Sequence, residues 1–184
     1  MKIGYACICL DAQFHFETCI QKFATEDRLR SIIRANLETL QKLLEYNAGH
    51  NIRMYRLSFD LIPFGSSPVN TIPWLDEFAA QFQSLGDYVR KNNMRVSLHP
   101  GQYCVINSPR EDVVERSIDE LLYHASILEA MGLDATHKMV LHVGGIYGDK
   151  QQAMQRFARV YRRLDPIIQK HLICLLYTSD AADD

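Results

Sequence analysis

Two histidines occupy matching settings in this chain. His99 stands in Leu98-His99-Pro100-Gly101-Gln102-Tyr103, and His142 in Leu141-His142-Val143-Gly144-Gly145. Each closes a short apolar run and is followed by Pro-Gly or Val-Gly-Gly, where a glycine lets the backbone turn sharply or approach a ligand. Imidazole is a ligand for first-row divalent metals, and two at equivalent chain positions can be aimed at one ion. A lone histidine of this kind is more often a hydrogen-bonded packing residue, so the matched pair carries the metal reading. Beside it, Gln102 and Tyr103 join an amide to an aromatic ring on one loop. Such a pair can hydrogen-bond a base edge and stack on its face, although an ordinary polar loop with a half-buried tyrosine has the same composition.

Other groups invite chemistry less. Gly144-Gly145-Ile146-Tyr147-Gly148-Asp149-Lys150 could pass for a phosphate-binding turn before a helix. It lacks Walker spacing, and Asp149 at the cap would oppose an anion. His15, His50, His124, His137 and His171 read as packing or solvent-facing residues. The five cysteines (7, 9, 19, 104 and 174) are odd in number and form no CxxC knuckle; Cys7 and Cys9 alone make a weak chelate. A reducing, cytoplasmic setting is expected.

The elements that must hold these groups alternate. Residues 2–9 read as a strand, 26–48 as a helix with Thr25 as N-cap and Gly49 at the C-terminal turn, and 53–59 as a second strand. A Pro/Ser/Gly-rich loop from Leu61 to Pro73 has the length of functional loops. A helix over 74–92 places Trp74, Phe78, Phe82, Leu85 and Val89 on one face, and 94–99 forms the strand that ends on His99. Ser108-Pro109-Arg110-Glu111 has the form of a capping box for a helix over 109–131, burying Val114, Ile118, Leu121, Leu122, Ala125 and Leu128. Residues 138–143 make the strand that reaches His142, Asp149 caps a helix running to Leu164, and 171–176 form a fifth strand. Four strand–helix units plus a strand imply a parallel α/β sheet, whose functional groups gather at the carboxyl ends of its strands.

With 184 residues, 47% of them hydrophobic, 23% charged and a net charge of −2, the chain is neither a disordered nor a fibrous type. No run approaches the ~18 apolar residues of a membrane span, so no membrane partner is expected. A clear basic face is missing too: Arg156, Arg159, Arg162, Arg163 and the Arg90-Lys91 pair read as solvated outer helix faces. Closing an eight-fold barrel takes roughly 250 residues.

Taken in order, Gly4-Tyr5-Ala6-Cys7, Arg56-Leu57-Ser58-x-Asp60-Leu61-Ile62-Pro63-Phe64, His99-Pro-Gly-Gln-Tyr103, Ser117-x-x-Glu120-Leu-x-Tyr-His124 and His142-Val-Gly-Gly-x-Tyr-Gly-Asp-Lys150 resemble the UV damage endonuclease family over residues 1 to 174. The resemblance implies part of a xylose-isomerase-like TIM (β/α)8 barrel, about four βα units and a fifth strand. It implies a DNA repair hydrolase, an endonuclease that nicks 5′ to UV photoproducts and other lesions and works as a monomer on damaged double-stranded DNA. The implied cofactors are divalent metals: manganese, with magnesium or zinc as alternatives. Position by position, His99 and His142 match metal ligands, Gln102 and Tyr103 match the pair that probes the duplex, and Tyr5 matches a catalytic residue at the site rim. Two positions depart from the family pattern: Ser67 stands where many members have histidine, and Cys9 where they have asparagine. Residues 175–184 also depart, lack the expected glutamate, and read as a non-native tail; without them the balance is 20 basic to 19 acidic residues, +1. The chain is then expected to be one domain, 1–174, inactive alone. A sugar isomerase or epimerase on the same barrel, and a non-catalytic lesion binder, are the alternative readings.

Overall fold

In the computed structural model, residues 2–7, 9 and 14–175 are described. Five parallel strands lie side by side in chain order: β1 (Gly4–Ala6), β2 (Met54–Arg56), β3 (Arg95–Leu98), β4 (Lys138–His142) and β5 (Leu172–Leu175). Between them run α1 (Glu26–Gly49), the short α2 (Trp74–Glu77) with α3 (Ala79–Lys91), α4 (Glu111–Ala130), and α5 (Lys150–Tyr161) with α6 (Pro166–His171). The register pairs Arg56 with Ser97 and Ser97 with Lys138, so strand ends fall near one another across the sheet. The expected alternation is present, and the fold is α/β, part of a TIM barrel.

Strand alternation divides the sheet into two faces. Tyr55, Val96, Leu98, Met139 and Leu141 point toward the helices and are buried. Met54, Arg56, Arg95, Ser97, Lys138 and Val140 point the other way and are only half-buried, and Ile173 is exposed. One face therefore carries the core, together with the α3 stripe of Phe82, Leu85 and Val89. His99, one residue past β3, and His142 continue the opposite face.

Several local expectations shift. Thr25 does cap α1, accepting from the Arg28 amide at 3.4 Å, but the helix runs through Gly49 and the left-handed residue beyond it is Asn51. The second strand shrinks to three residues and gives way to a 3-10 turn at Phe59–Leu61, whose Asp60 amide is held by Ser58. The helix expected over 74–92 breaks at Phe78, where φ −111° and ψ 17° leave the helical basin, yet its apolar face stays buried. The capping box does not form: α4 starts at Glu111, and the first helical carbonyl is that of Arg110. Ser108 Oγ instead accepts from the Arg110 amide in a tight turn. Leu122 is 38% exposed rather than core. Asp149 caps α5 as expected, through the Gln152 amide, but a separate helix, α6, follows it. Its signal was Asp165-Pro166, with Asp165 bonding the Ile167 amide and proline at the first helical position. Arg90 and Arg156 are not idle surface charges: Arg90 binds the Met131 and Gly132 carbonyls, and Arg156 the Asn107 carbonyl. Residues 176–184 of the expected tail lie outside the described residues.

Candidate functional site

The carboxyl ends of β3 and β4 bring the two histidines together across 43 residues of chain: His99 Nε2 lies 3.2 Å from His142 Nε2. The His99 ring is set by its own loop, because Nδ1 donates to the Pro100 carbonyl at 2.9 Å. That bond leaves the lone pair on Nε2, the atom facing His142. Burial first of all pushes His99 below the usual histidine range; the Pro100 bond acts against this, and the charges of Arg56 and His142 add to it. A neutral imidazole with one nitrogen fixed on a carbonyl and the other presented to a second imidazole has the form of a metal ligand. The 3.2 Å gap is close to the roughly 3.4 Å edge of a tetrahedral site with metal–nitrogen bonds of ~2.1 Å. The donors fit a divalent ion, but two are too few: among the described residues no group of three His, Cys, Asp or Glu could hold one.

The β4–α5 connection is held around the site by Asn107, whose Nδ2 donates to the Gly145 carbonyl at 2.9 Å. Gly144, at φ +96°, is required there, since a Cβ would lie 2.2 Å from Asn107 Oδ1. Arg156 packs over the Tyr147 ring and binds the Asn107 carbonyl, closing the turn from the helix side.

Gln102 and Tyr103 lie on the loop that leaves His99, and Tyr103 is 81% exposed. They rim a cleft of about 810 Å³ whose far wall is the 59–68 loop and whose base is α4. Tyr5 is elsewhere. Its hydroxyl donates to Asn47 Oδ1 of α1 at 2.9 Å, its ring packs on Tyr55 at 5.1 Å, and burial pushes its pKa up to about 12. The structure brings His99, His142, Gln102 and Tyr103 to one end of the sheet and sets Tyr5 into the helix-facing layer. Ser67 rims the cleft and turns its hydroxyl to the Val69 amide. Cys9 is half-buried against the core.

Sequence reasoning gave no role to Glu120 or Ser66 and read His124 as a packing residue, which its burial agrees with. Ser66 Oγ donates to Glu120 Oε2 at 2.5 Å, and Glu120 Oε1 lies 3.5 Å from His124 Nδ1, whose hydrogen goes to the Glu120 carbonyl at 2.8 Å. His124 is fully buried with its Nε2 unpartnered, and burial drives it below the ordinary histidine range. The signal was in the spacing of Ser117, Glu120 and His124, which fall on one helical face.

Parallel strands with helices on one side and a histidine pair with an amide–aromatic loop at their carboxyl ends define a barrel-type α/β protein with its candidate site at the strand ends. Comparison with known proteins gives the particular kind. The chain matches the family model described as "UV-endonuclease UvdE" over residues 1–176. It belongs to that family. The UV DNA damage endonuclease of Clostridium perfringens is 41% identical over 175 residues, covering 94% of this chain and 42% of that protein. That of Bacillus cereus (strain B4264) is 32% identical over 153 residues, covering 83% and 48%. A solved structure described as the crystal structure of SacUVDE superposes with TM-score 0.90 at 35% identity, covering 95% of this chain and 60% of that one. The chain thus spans less than half the length of these curated relatives. Among the described residues no helix is long and apolar enough to cross a membrane.

Proposed function

We propose that this chain forms the part of a metal-dependent DNA repair endonuclease that supplies two metal ligands and the duplex-probing loop, the whole enzyme nicking DNA 5′ to UV photoproducts and other lesions. The observation that carries the reading is the His99–His142 pair facing at 3.2 Å beside the exposed Gln102–Tyr103 loop. His99 and His142 would hold a divalent ion, manganese before magnesium or zinc, with its remaining ligands coming from outside the described residues. When bound, such an ion supplies Lewis acidity toward a phosphate oxygen and a more acidic bound water.

The chain's own residues then have separate tasks. The Pro100 carbonyl fixes the His99 ring so that Nε2 is the donor atom, and the Asn107–Gly145 bond holds the loop after His142. Tyr103 offers an open ring to a duplex. A damaged step costs less to unstack than an intact one, so insertion of a ring discriminates before any bond is cut. Tyr5 serves by positioning β1 against α1. The enzyme acts as a monomer in the cytoplasm on double-stranded DNA.

The test uses the protein extended to the length of its relatives, with UV-irradiated duplex and Mn²⁺. Nicking is expected to fall by about a hundredfold or more in His99→Ala and in His142→Ala, as removal of metal ligation does. On the 184-residue chain itself, Mn²⁺ should broaden the NMR signals of both histidine rings. Unchanged cleavage in both variants would remove the ligand assignment, and turnover of an aldose or ketose in place of nicking would favour a sugar isomerase.

A further inference from the structure

The basic side chains along the sheet follow a pattern that Arg56 breaks. Lys2, Arg53, Arg95 and Lys138 stand at or near the amino ends of their strands, and each is tied down. Lys2 Nζ donates to the Asn93 carbonyl at 2.9 Å and Arg53 Nη2 to Asn51 Oδ1 at 3.3 Å. Arg95 Nε donates to the Thr136 carbonyl at 3.1 Å and Lys138 Nζ to the Lys170 carbonyl at 2.8 Å. Arg56 stands at the other end, as the last residue of β2. Its backbone is anchored, since the Arg56 carbonyl accepts from the Cys7 amide at 2.9 Å. Among the described residues its guanidinium makes no hydrogen bond and has no carboxylate within ion-pair reach. Asp60 is half-buried with burial alone raising it, so it does not serve as the counter-ion. Arg56 is level with Ser97, and His99 lies two residues further along the adjacent strand, on the same face. Two strand residues rise by roughly 6.6 Å, a span that an extended arginine covers. Its charge is felt at His99 on one side and Cys7 on the other. A half-buried cation at the strand ends, beside the histidine pair, is set for an anion from outside these residues.

We propose that Arg56 is a catalytic residue of the nicking reaction, gripping a non-bridging oxygen of the phosphodiester presented to the histidine pair. The proposal rests on the endonuclease reading above and adds a residue to that site. A guanidinium offers a planar fork of N–H donors, and a phosphodiester carries two non-bridging oxygens that share one negative charge. Hydrolysis splits water across one P–O ester bond: the hydroxyl goes to phosphorus and the proton ends on the leaving oxygen. Charge builds on the phosphoryl oxygens as the new bond forms, so a donor already aimed at them is worth more in the transition state than in the bound substrate. The guanidinium keeps all its protons, so it stabilises charge and transfers nothing.

The experiment has two arms. In the first, dimethyl phosphate is titrated into the 184-residue chain without added metal, and the Arg56 Nε–H and His99 ring signals are followed by NMR. Both should shift together and saturate, and Arg56→Gln should weaken binding about tenfold or more, because charge-assisted hydrogen bonds are lost. A response at Arg56 no larger than at the exposed Arg159 would mean diffuse charge and overturn the proposal. In the second arm, the protein extended to the length of its relatives is assayed on UV-irradiated duplex with Mn²⁺. Arg56→Gln should lower kcat about a hundredfold with KM within about threefold of the parent, as loss of an oxyanion donor does. Arg56→Lys, which keeps the charge without the fork, should fall between the two. The melting temperature of Arg56→Gln should not drop. A clear drop in both variants would mark an internal ion pair with a carboxylate and overturn the phosphate contact. A parent that nicks, with Arg56→Gln nicking equally well, would sink this assignment alone. A parent that binds dimethyl phosphate at Arg56 without nicking would sink the enzyme reading instead.

Discussion

Removing the Tyr123 hydroxyl should loosen the wall of the cleft by a predictable amount. Tyr123 leaves α4 on its buried side, its ring edge-on to Trp74 at 5.7 Å. Its hydroxyl accepts from the Ile62 amide at 3.2 Å and donates toward the Phe59 carbonyl at 3.2 Å and the Ile62 carbonyl at 3.4 Å. One oxygen thus satisfies the backbone of a loop that has no strand to pair with. In Tyr123→Phe the ring remains, so packing is nearly conserved, but a buried amide and a carbonyl lose their partner. An unsatisfied buried donor costs about 1–3 kcal/mol, here about 2 kcal/mol. With a urea slope of about 2 kcal/mol/M, the midpoint should fall by about 1 M. The melting temperature should fall by about 4–8 °C for a chain of this size. The assay is urea and thermal unfolding by circular dichroism, with Tyr147→Phe at the surface as the control, expected within about 0.5 kcal/mol of the parent. Hydrogen exchange at the Ile62 amide should accelerate in Tyr123→Phe alone. A Tyr123→Phe chain as stable as the control, with Ile62 still protected, would refute the argument that this hydroxyl holds the loop.

Gly86→Ala should destabilise by about 2 kcal/mol or more despite a helix-propensity gain of about 1 kcal/mol, because the new Cβ would sit 1.7 Å from the Met131 carbonyl oxygen; urea melts decide it, and a stabilised variant would mean that α3 and α4 are not in contact there. Asn36→Ala should cost about 2 kcal/mol and free the segment before α1, since the Asn36 side chain accepts from the Glu17 amide at 2.7 Å and donates to the Leu61 carbonyl at 3.2 Å; proteolysis near Glu17 reads the release. Stability should also decline as pH falls. Burial, ahead of every other influence, holds His124 and His137 below the ordinary histidine value, and the His137 Nδ1 accepts from the Val96 amide at 3.1 Å. The unfolded chain then binds more protons than the folded one, so stability present above about pH 6.5 is lost as pH drops below it through the folded values. Urea midpoints between pH 8 and pH 5 check this, and a flat profile would exclude it.

Local pattern accounts for much of this molecule. The spacing of Trp74, Phe78, Phe82, Leu85 and Val89 marks the side of the helix that meets the core, because a 3.6-residue period records which side chains leave water together. It does so even though the helix breaks at Phe78. The strands that end on His99 and His142 are legible for a similar reason, as short apolar runs stopped by glycine or proline. What propensity could not supply is the choice among competing local partners. Ser108 has the spacing of a capping box, yet Asn107 is pinned by its bonds to Gly145 and Arg156, and the helix begins two residues later than the box requires. Leu122 has helical spacing too, but its place on α4 falls just off the packed face.

Distances between groups far apart in the chain belong to the tertiary structure. His99 and His142 meet because parallel register brings the ends of β3 and β4 level, and no property of either segment encodes that alignment alone. Glu120 is the sharper case. On α4 it is one carboxylate among several, and only packing against a loop 54 residues away sets it opposite Ser66 at the edge of the cleft. Residue types and their period determined which elements form and which side chains face inward. Register and helix packing decided which polar atoms come within hydrogen-bond reach, because that reach is a few ångströms and sequence separation does not measure it.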